Sequence, residues 1–405
     1  MTAEIVIMNS DAVAMASDSV VTIGNEYSDE KTYPSANKLF AISYDLPVGI
    51  MTYGNGKFMD LSWETLIKMY RKKCKKPLNH LKEYVDDFLN FLKGVELYTE
   101  EHRKQIILQN FYAFHYSIRE TIAREIDSIE ELWDDSDEDV NNSEADVKGG
   151  SPTHDIPTTI MNILNREIDS MEHTNQYQFE SEDEMSADKT FLQSMDSDFE
   201  SILLQLYGNL YAGETRKLVD KLTECHFTYI GTFNYSGIVI SGYGENDIFP
   251  KTYSLMMREA HSDGIIYACD LKDGPGVFPF AQRDMVDLFM TGFSRKILAN
   301  ILNEIDTEFP TDCQHIKETI ARSIQNDIDI TIQLIQNLPK AELAVMAETL
   351  VNLTSFKKMF SRGMETVGGP IDVAVISKGD GFIWIKRKHY FEPELNPHFI
   401  ARHYI

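Results

Sequence analysis

Apolar runs of strand length, punctuated by Gly, Pro and Asp turns, fill the chain up to Gly56, return between 227 and 269 and recur at 371–385. Helical period occupies the stretches between them. That order constrains the fold more than any composition does. Strands in two groups form sheets that bury their facing sides against each other, and each outer face still needs helices to cover it. The expected class is α+β, a four-layer αββα sandwich with enlarged helical insertions.

The first strand block carries chemistry. It begins Met1-Thr2-Ala3-Glu4-Ile5-Val6-Ile7 and continues to Ala16-Ser17-Asp18-Ser19. A start Met followed by a small residue is a substrate for removal, which would leave Thr2 with a free α-amine beside its hydroxyl. A hydroxyl is a weak nucleophile until a base takes its proton, and an N-terminal Thr carries that base on its own backbone. An α-amine titrates near 7.7–8.0, and a nearby cation lowers it further. Lys38, which opens the apolar run Leu39-Phe40-Ala41-Ile42, is the candidate cation. The next strand, Pro47 to Tyr53, ends in Gly54-Asn55-Gly56, a turn able to aim a backbone N–H at a developing oxyanion.

The order of these features resembles the β-type subunits of the proteasome family, which includes the bacterial two-component peptidase. The matching features are an N-terminal Thr, an Ala-Ser-Asp-Ser motif closing the second strand, a following Thr, a Lys opening the next strand, and a Gly turn before the first helix. The resemblance implies Thr2 as nucleophile, Asp18 as the acid that orients the lysine, and Lys38 as that lysine. It places Thr22 where backbone pairs with an extended substrate and Gly54, or Tyr53 before it, near the oxyanion N–H. Ser17 and Ser19, flanking Asp18, are expected as supporting residues. The resemblance covers roughly 1–60, 225–300 and 340–390, and implies the N-terminal nucleophile hydrolase form of the sandwich. One departure stands out. The family usually sets an Asp and a Ser just before a closing glycine pair, near the Thr amine; here Met364 and Val367 precede Gly368-Gly369, with Glu365 and Thr366 as the polar substitutes if the register slips.

Along the chain, helical faces are expected at Leu61, Leu66 and Met69, at Leu81, Tyr84, Val85, Phe88 and Leu92, and at Ile107, Phe111, Phe114, Ile118 and Ile122. A further face falls at Leu203, Leu204, Leu206, Tyr207 and Leu210. Strands are expected at 227–233, 237–244, 249–255 and 264–269, then helices at 282–303, from Pro310 to Leu334, and from Pro339 to Met359. One hydrolase domain is expected over 1–405. Within it, 127–189 is an acidic, mobile insertion in the helical layer, and 304–338 is a second helical insertion.

A formal net charge of −26 argues against nucleic acid or an anionic membrane as partner, and favours solubility. No run approaches the length needed to span a bilayer and no signal-peptide pattern opens the chain, so a cytoplasmic location is expected. Cys74, Cys225, Cys269 and Cys313 are too scattered for pairing or metal binding and read as reduced thiols. The eleven histidines show no HExxH spacing, so neither metal nor cofactor is expected. No GxxxxGK[ST] occurs, so an ATPase of the kind some relatives need would be a separate partner. Lys386-Arg387-Lys388 reads as a solvated strand end. The leading expectation is a threonine peptidase acting on peptides or unfolded protein as a homo-oligomer. An amidase for non-peptide amides and a catalytically weak scaffold are the alternatives.

Overall fold

A computed structural model describes residues 2–23, 31–43, 45–58, 61–95, 99–137, 156–174, 176, 182–229, 235–259, 265–308, 314–360, 367–398 and 401. Of these, 22–23, 127–137, 184, 259 and 306–308 are described by backbone alone. The architecture is mixed α/β. The chain divides into two compact units, one of Met1–Val95, Ser236–Leu255 and Cys269–Ile405, the other of Glu96–Tyr235 and Met256–Ala268.

The first unit opens with strands β1 (Glu4–Met8) and β2 (Ala12–Ser17), the hairpin β3 (Val21–Ile23) and β4 (Lys31–Tyr33), then β5 (Leu39–Ala41) and β6 (Val48–Gly54). A short pair, β7 (Lys57–Phe58) and β8 (Leu61–Ser62), leads into helices α1 (Trp63–Lys73) and α2 (Leu81–Lys93). The second unit is built on α3 (Glu100–Asp137), α4 (Ile156–Glu172), α5 (Glu182–Gln193), α6 (Asp196–Tyr207) and α7 (Gly213–Thr228). Strand β9 (Ser236–Gly242) follows, then β10 (Lys251–Glu259) and β11 (Ile265–Asp273), within which the division between units falls. The chain continues through β12 (Gly276–Pro279), α8 (Asp284–Thr291), α9 (Arg295–Glu308), α10 (Gln314–Gln336), α11 (Lys340–Met359), β13 (Asp372–Ser377) and β14 (Gly381–Lys386).

One five-stranded sheet has the order β12-β1-β2-β13-β14, and a second the order β11-β10-β9-β6-β5. β1 is paired on both sides, with Val6 opposite Phe278 of β12 and Met15 of β2, both antiparallel. Every residue of β1 and β2 is buried. One face of this sheet presents Ala12, Ala14 and Ala16 to a core shared with Leu343, Ala344, Ala347 and Leu350 of α11. Alanines on both sides let helix and sheet approach closely. The other face meets β6 of the second sheet at Gly49. A Cβ there would lie 2.8 Å from Met15 Sδ and 3.0 Å from atoms of Ile376 and Phe382, so the close approach requires glycine.

Helix α1 is capped by Ser62, whose Oγ accepts the Thr65 N–H at 3.2 Å. It buries Trp63, Leu66, Ile67 and Tyr70, whereas Met69 is 42% exposed. Of the expected face, Leu66 is inside, Met69 is outside, and Leu61 precedes the helix in β8; Trp63 and Tyr70 bring more apolar area inward than Met69 would. The expected face of α2 is buried throughout. The helix expected over 282–303 is two helices, α8 and α9, because Gly292 takes a left-handed conformation (φ 73°) and ends the first. Phe227 and Thr228, expected in a strand, complete α7, and 230–234 lie outside the described residues. Cys74, Cys225 and Cys269 are free thiols; Cys313 lies outside the described residues.

The second unit has its own core, in which Phe111, Phe114, Ile118 and Ile122 of α3 join Ile160, Ile163, Leu164 and Ile168 of α4. Helix α4 thus packs an apolar stripe within the acidic stretch 127–189, of which 138–155, 175 and 177–181 lie outside the described residues. At the heart of this core His115 is wholly buried. Its Nδ1 stands 3.1 Å from the Tyr207 hydroxyl and its Nε2 3.1 Å from Thr223 Oγ1, so α3, α6 and α7 meet on one imidazole. Among the described residues no helix is long and apolar enough to cross a membrane.

Candidate active site

The ends of β1, β2 and β5 converge on a buried polar cluster. Thr2, half-buried just before β1, gives its carbonyl to the Gln282 N–H at 3.1 Å, and Glu4 gives its own to Phe280 N–H at 3.0 Å. These bonds extend the pairing with β12 and hold Thr2 as the continuation of a strand locked on both sides. Asp18 follows β2, and its N–H donates to the Ala3 carbonyl at 3.1 Å. Lys38 precedes β5 and accepts the Thr52 N–H on its carbonyl at 2.9 Å.

Asp18 is fully buried and accepts from four donors. Oδ1 takes Lys38 Nζ at 2.5 Å and the Ala3 N–H at 3.2 Å. Oδ2 takes the Gly368 N–H at 3.0 Å and the Val20 N–H at 3.4 Å. A carboxylate so surrounded has little freedom to rotate, and its charge is matched at close range. Lys38 is itself 5% exposed, so the ion pair is largely removed from water.

Glu4 is a residue that sequence reasoning does not single out. It is wholly buried, its Oε2 accepts the Thr2 hydroxyl at 2.6 Å, and its Oε1 lies 3.6 Å from Lys38 Nζ. Lys38 therefore stands between two carboxylates, one of which holds the Thr2 hydroxyl. Burial pushes the Glu4 carboxyl up to about 7, against the pull of Lys38 and with Asp18 adding to the rise. The signal available in the sequence is a charge placed directly ahead of the apolar run Ile5-Val6-Ile7, two residues after Thr2.

This geometry gives a testable pH dependence. Because the folded-state value is raised above the ordinary 4.5, Glu4 holds its proton more tightly folded than unfolded. Its contribution to stability is full below pH 4.5 and is lost as pH rises toward 7. The expected difference is about 3 kcal/mol. Urea denaturation of the native chain and Glu4→Gln at pH 4.5 and 8 reads it directly. The variant should gain on the native chain by that amount at the higher pH, and a constant difference would refute it.

The other expected residues are distributed as follows. Ser19 donates its N–H to the Gly368 carbonyl at 3.1 Å and its hydroxyl to the Pro370 carbonyl, so the closing glycine pair reaches the cluster. Ser17 pairs with both Glu4 and Asp372 in neighbouring strands, and its buried Oγ has no hydrogen-bond partner among the described residues. Gly54 ends β6 in a left-handed conformation (φ 76°), two residues beyond the Thr52 that pairs with Lys38. Tyr53 is buried and paired with Gly237. Thr22 lies in the β3–β4 hairpin, its backbone opposite Thr32. Val367 is buried in the core with α11, while Met364, Glu365 and Thr366 lie outside the described residues. Among the described residues no group of three or more His, Cys, Asp or Glu side chains is placed to hold a metal ion.

No protein-family model and no curated protein matches the chain. Among solved structures it is similar to an Anbu (Gly-1) mutant from Hyphomicrobium sp. strain MC1. The identity is 8%, the TM-score 0.30, and the coverage 96% of this chain and 86% of that one.

Proposed function

We propose that the chain is a threonine-type peptidase of the N-terminal nucleophile kind, with Thr2 exposed by removal of Met1. The observation that carries this reading is the Thr2 hydroxyl held at 2.6 Å by a buried carboxylate that shares Lys38 with Asp18. In the proposed reaction Thr2 Oγ bonds to the scissile carbonyl carbon while its proton passes to the Thr2 α-amine. The carbonyl oxygen becomes an oxyanion, stabilised by a backbone N–H near Gly54 or Tyr53. The C–N bond then breaks, and the proton leaves with the departing amine. Water attacks the resulting ester, and Thr2 regains its proton.

Within this scheme Asp18 fixes Lys38, and Lys38 keeps the amine proton-poor at neutral pH. Glu4 restrains the hydroxyl rotamer, and its value of about 7 suits a group that exchanges a proton with the amine. For the first unit we extend the reading to the αββα sandwich. Its support is the packing of α11 against one face of the first sheet and the meeting of that sheet's other face with β6 at Gly49.

The test is intact mass before and after treatment with a β-lactone or epoxyketone probe. Loss of Met1 and a single adduct, absent in Thr2→Ala, is the expected result. A retained Met1 with no adduct would overturn the reading in favour of a scaffold.

A further inference from the structure

A cavity of about 300 Å3 opens between α1, the start of β5 and the segment that follows β14. That volume is at the lower end for small-molecule sites. Its charge opposes that of the chain. Five lysine and arginine side chains line it against two carboxylates, in a protein whose formal net charge is −26.

Two of those cations pair with the lining's own carboxylates. Lys68 pairs with Glu64 at 2.5 Å, and Lys388, its side chain 10% exposed, pairs with the buried Asp372. Lys388 is therefore no solvated strand end, contrary to the expectation for the run 386–388. Arg71 donates Nε and Nη2 to the Ala41 carbonyl at 3.0 and 2.7 Å, a neutral acceptor that orients the guanidinium. Arg387, also in the lining, has its guanidinium carbon 4.7 Å from the centre of the Trp384 ring. Lys72 is exposed on α1 and makes no ion pair among the described residues.

Two further observations specify the ligand. The indole N–H of Trp384 is buried and has no acceptor among the described residues, a defect that a ligand's acceptor would repair. At the mouth Tyr390 is 80% exposed, with its ring 5.0 Å from that of Phe391 and edge-on to it. An exposed aromatic edge beside a cationic cavity offers a stacking surface for a flat ring. A polyanion would meet the acidic remainder of the molecule, whereas a compact anion responds to the field within about 8 Å of the cavity.

We infer that this cavity binds a small organic phosphate bearing a flat ring, a mononucleotide being the simplest such molecule. Its phosphate faces Lys72, Arg71 and Arg387, and its ring rests on the aromatic mouth. The site is independent of the Thr2 chemistry.

The experiment is calorimetric titration of the full chain with AMP, with inorganic phosphate and adenosine as the separate halves. AMP should bind at least about tenfold more tightly than either half, a difference near 1.4 kcal/mol. Lys72→Gln, at an exposed position where folding is not at stake, and Arg387→Gln should each weaken AMP by about five- to tenfold, the range for a charge-assisted contact. Thr2→Ala should bind as the native chain does, which separates this site from the hydrolase reading. No AMP binding at millimolar concentration, or binding unchanged in both cavity variants, overturns the site. Inorganic phosphate or an acidic peptide binding as tightly as AMP overturns the ligand class.

Discussion

A Thr2→Ala chain is expected to lose on the order of 10³-fold or more of its hydrolytic rate, because removal of a nucleophile leaves only binding and oxyanion stabilisation. Its stability should fall only by the cost of one hydrogen bond. Thr2 is half-buried, and the substitution removes a single hydroxyl hydrogen bond to Glu4, a matter of about 1–3 kcal/mol. The two readouts must therefore separate. A peptide-substrate assay reports the first and urea denaturation the second. Retained activity in a folded Thr2→Ala chain would remove Thr2 from the chemistry, whereas Thr2→Ser should keep a measurable fraction of the rate because the hydroxyl and amine remain on one residue.

Lys38→Met should be the most destabilising single change at the site, by about 3–5 kcal/mol, because it strands two buried carboxylates that now share one cation. Asp18 would keep its three backbone donors, so the larger burden falls on Glu4, whose Oε1 has only the lysine nearby. Protonation of Glu4 relieves the mismatch. The deficit should consequently be large at pH 8 and shrink by pH 5, and denaturation of both chains at the two values checks it. An equal deficit at both would mean that Lys38 acts through packing alone.

Much of the local structure is legible in the sequence because it depends on neighbours in the chain. The faces of α2 and α3 follow from helical spacing, and α11 starts right after Pro339 and ends at Met359 as expected. Asp18 and Lys38 stand out because each interrupts or borders an apolar strand, and both are buried within 2.5 Å of one another. Glu4 looks the same in one dimension, but a single charge at a strand start is ordinarily solvated. Only the pairing of β1 with both β2 and β12 seals it from water. The Gly368 contact to Asp18 spans nearly the whole chain, and no local pattern encodes it. Lys388 escapes a local reading for a related reason. The register between β13 and β14 shifts at Val373/Ala374, and the antiparallel pairing that sets Lys386 opposite Val373 carries Lys388 on to Asp372 at the start of β13.

The imidazole shared by three helices gives the second unit a chemistry of its own. Burial holds His115 down to about 3, so it stays neutral where an exposed histidine would be charged. The sign is opposite to that of Glu4: the unfolded chain takes up the proton first, so stability present above pH 6.5 is lost as pH falls toward 3, by an amount on the order of 5 kcal/mol. Mild acid therefore loosens the helical unit while it strengthens the carboxylate beside Thr2. The two units thus carry buried groups whose contributions to stability change with pH in opposite directions.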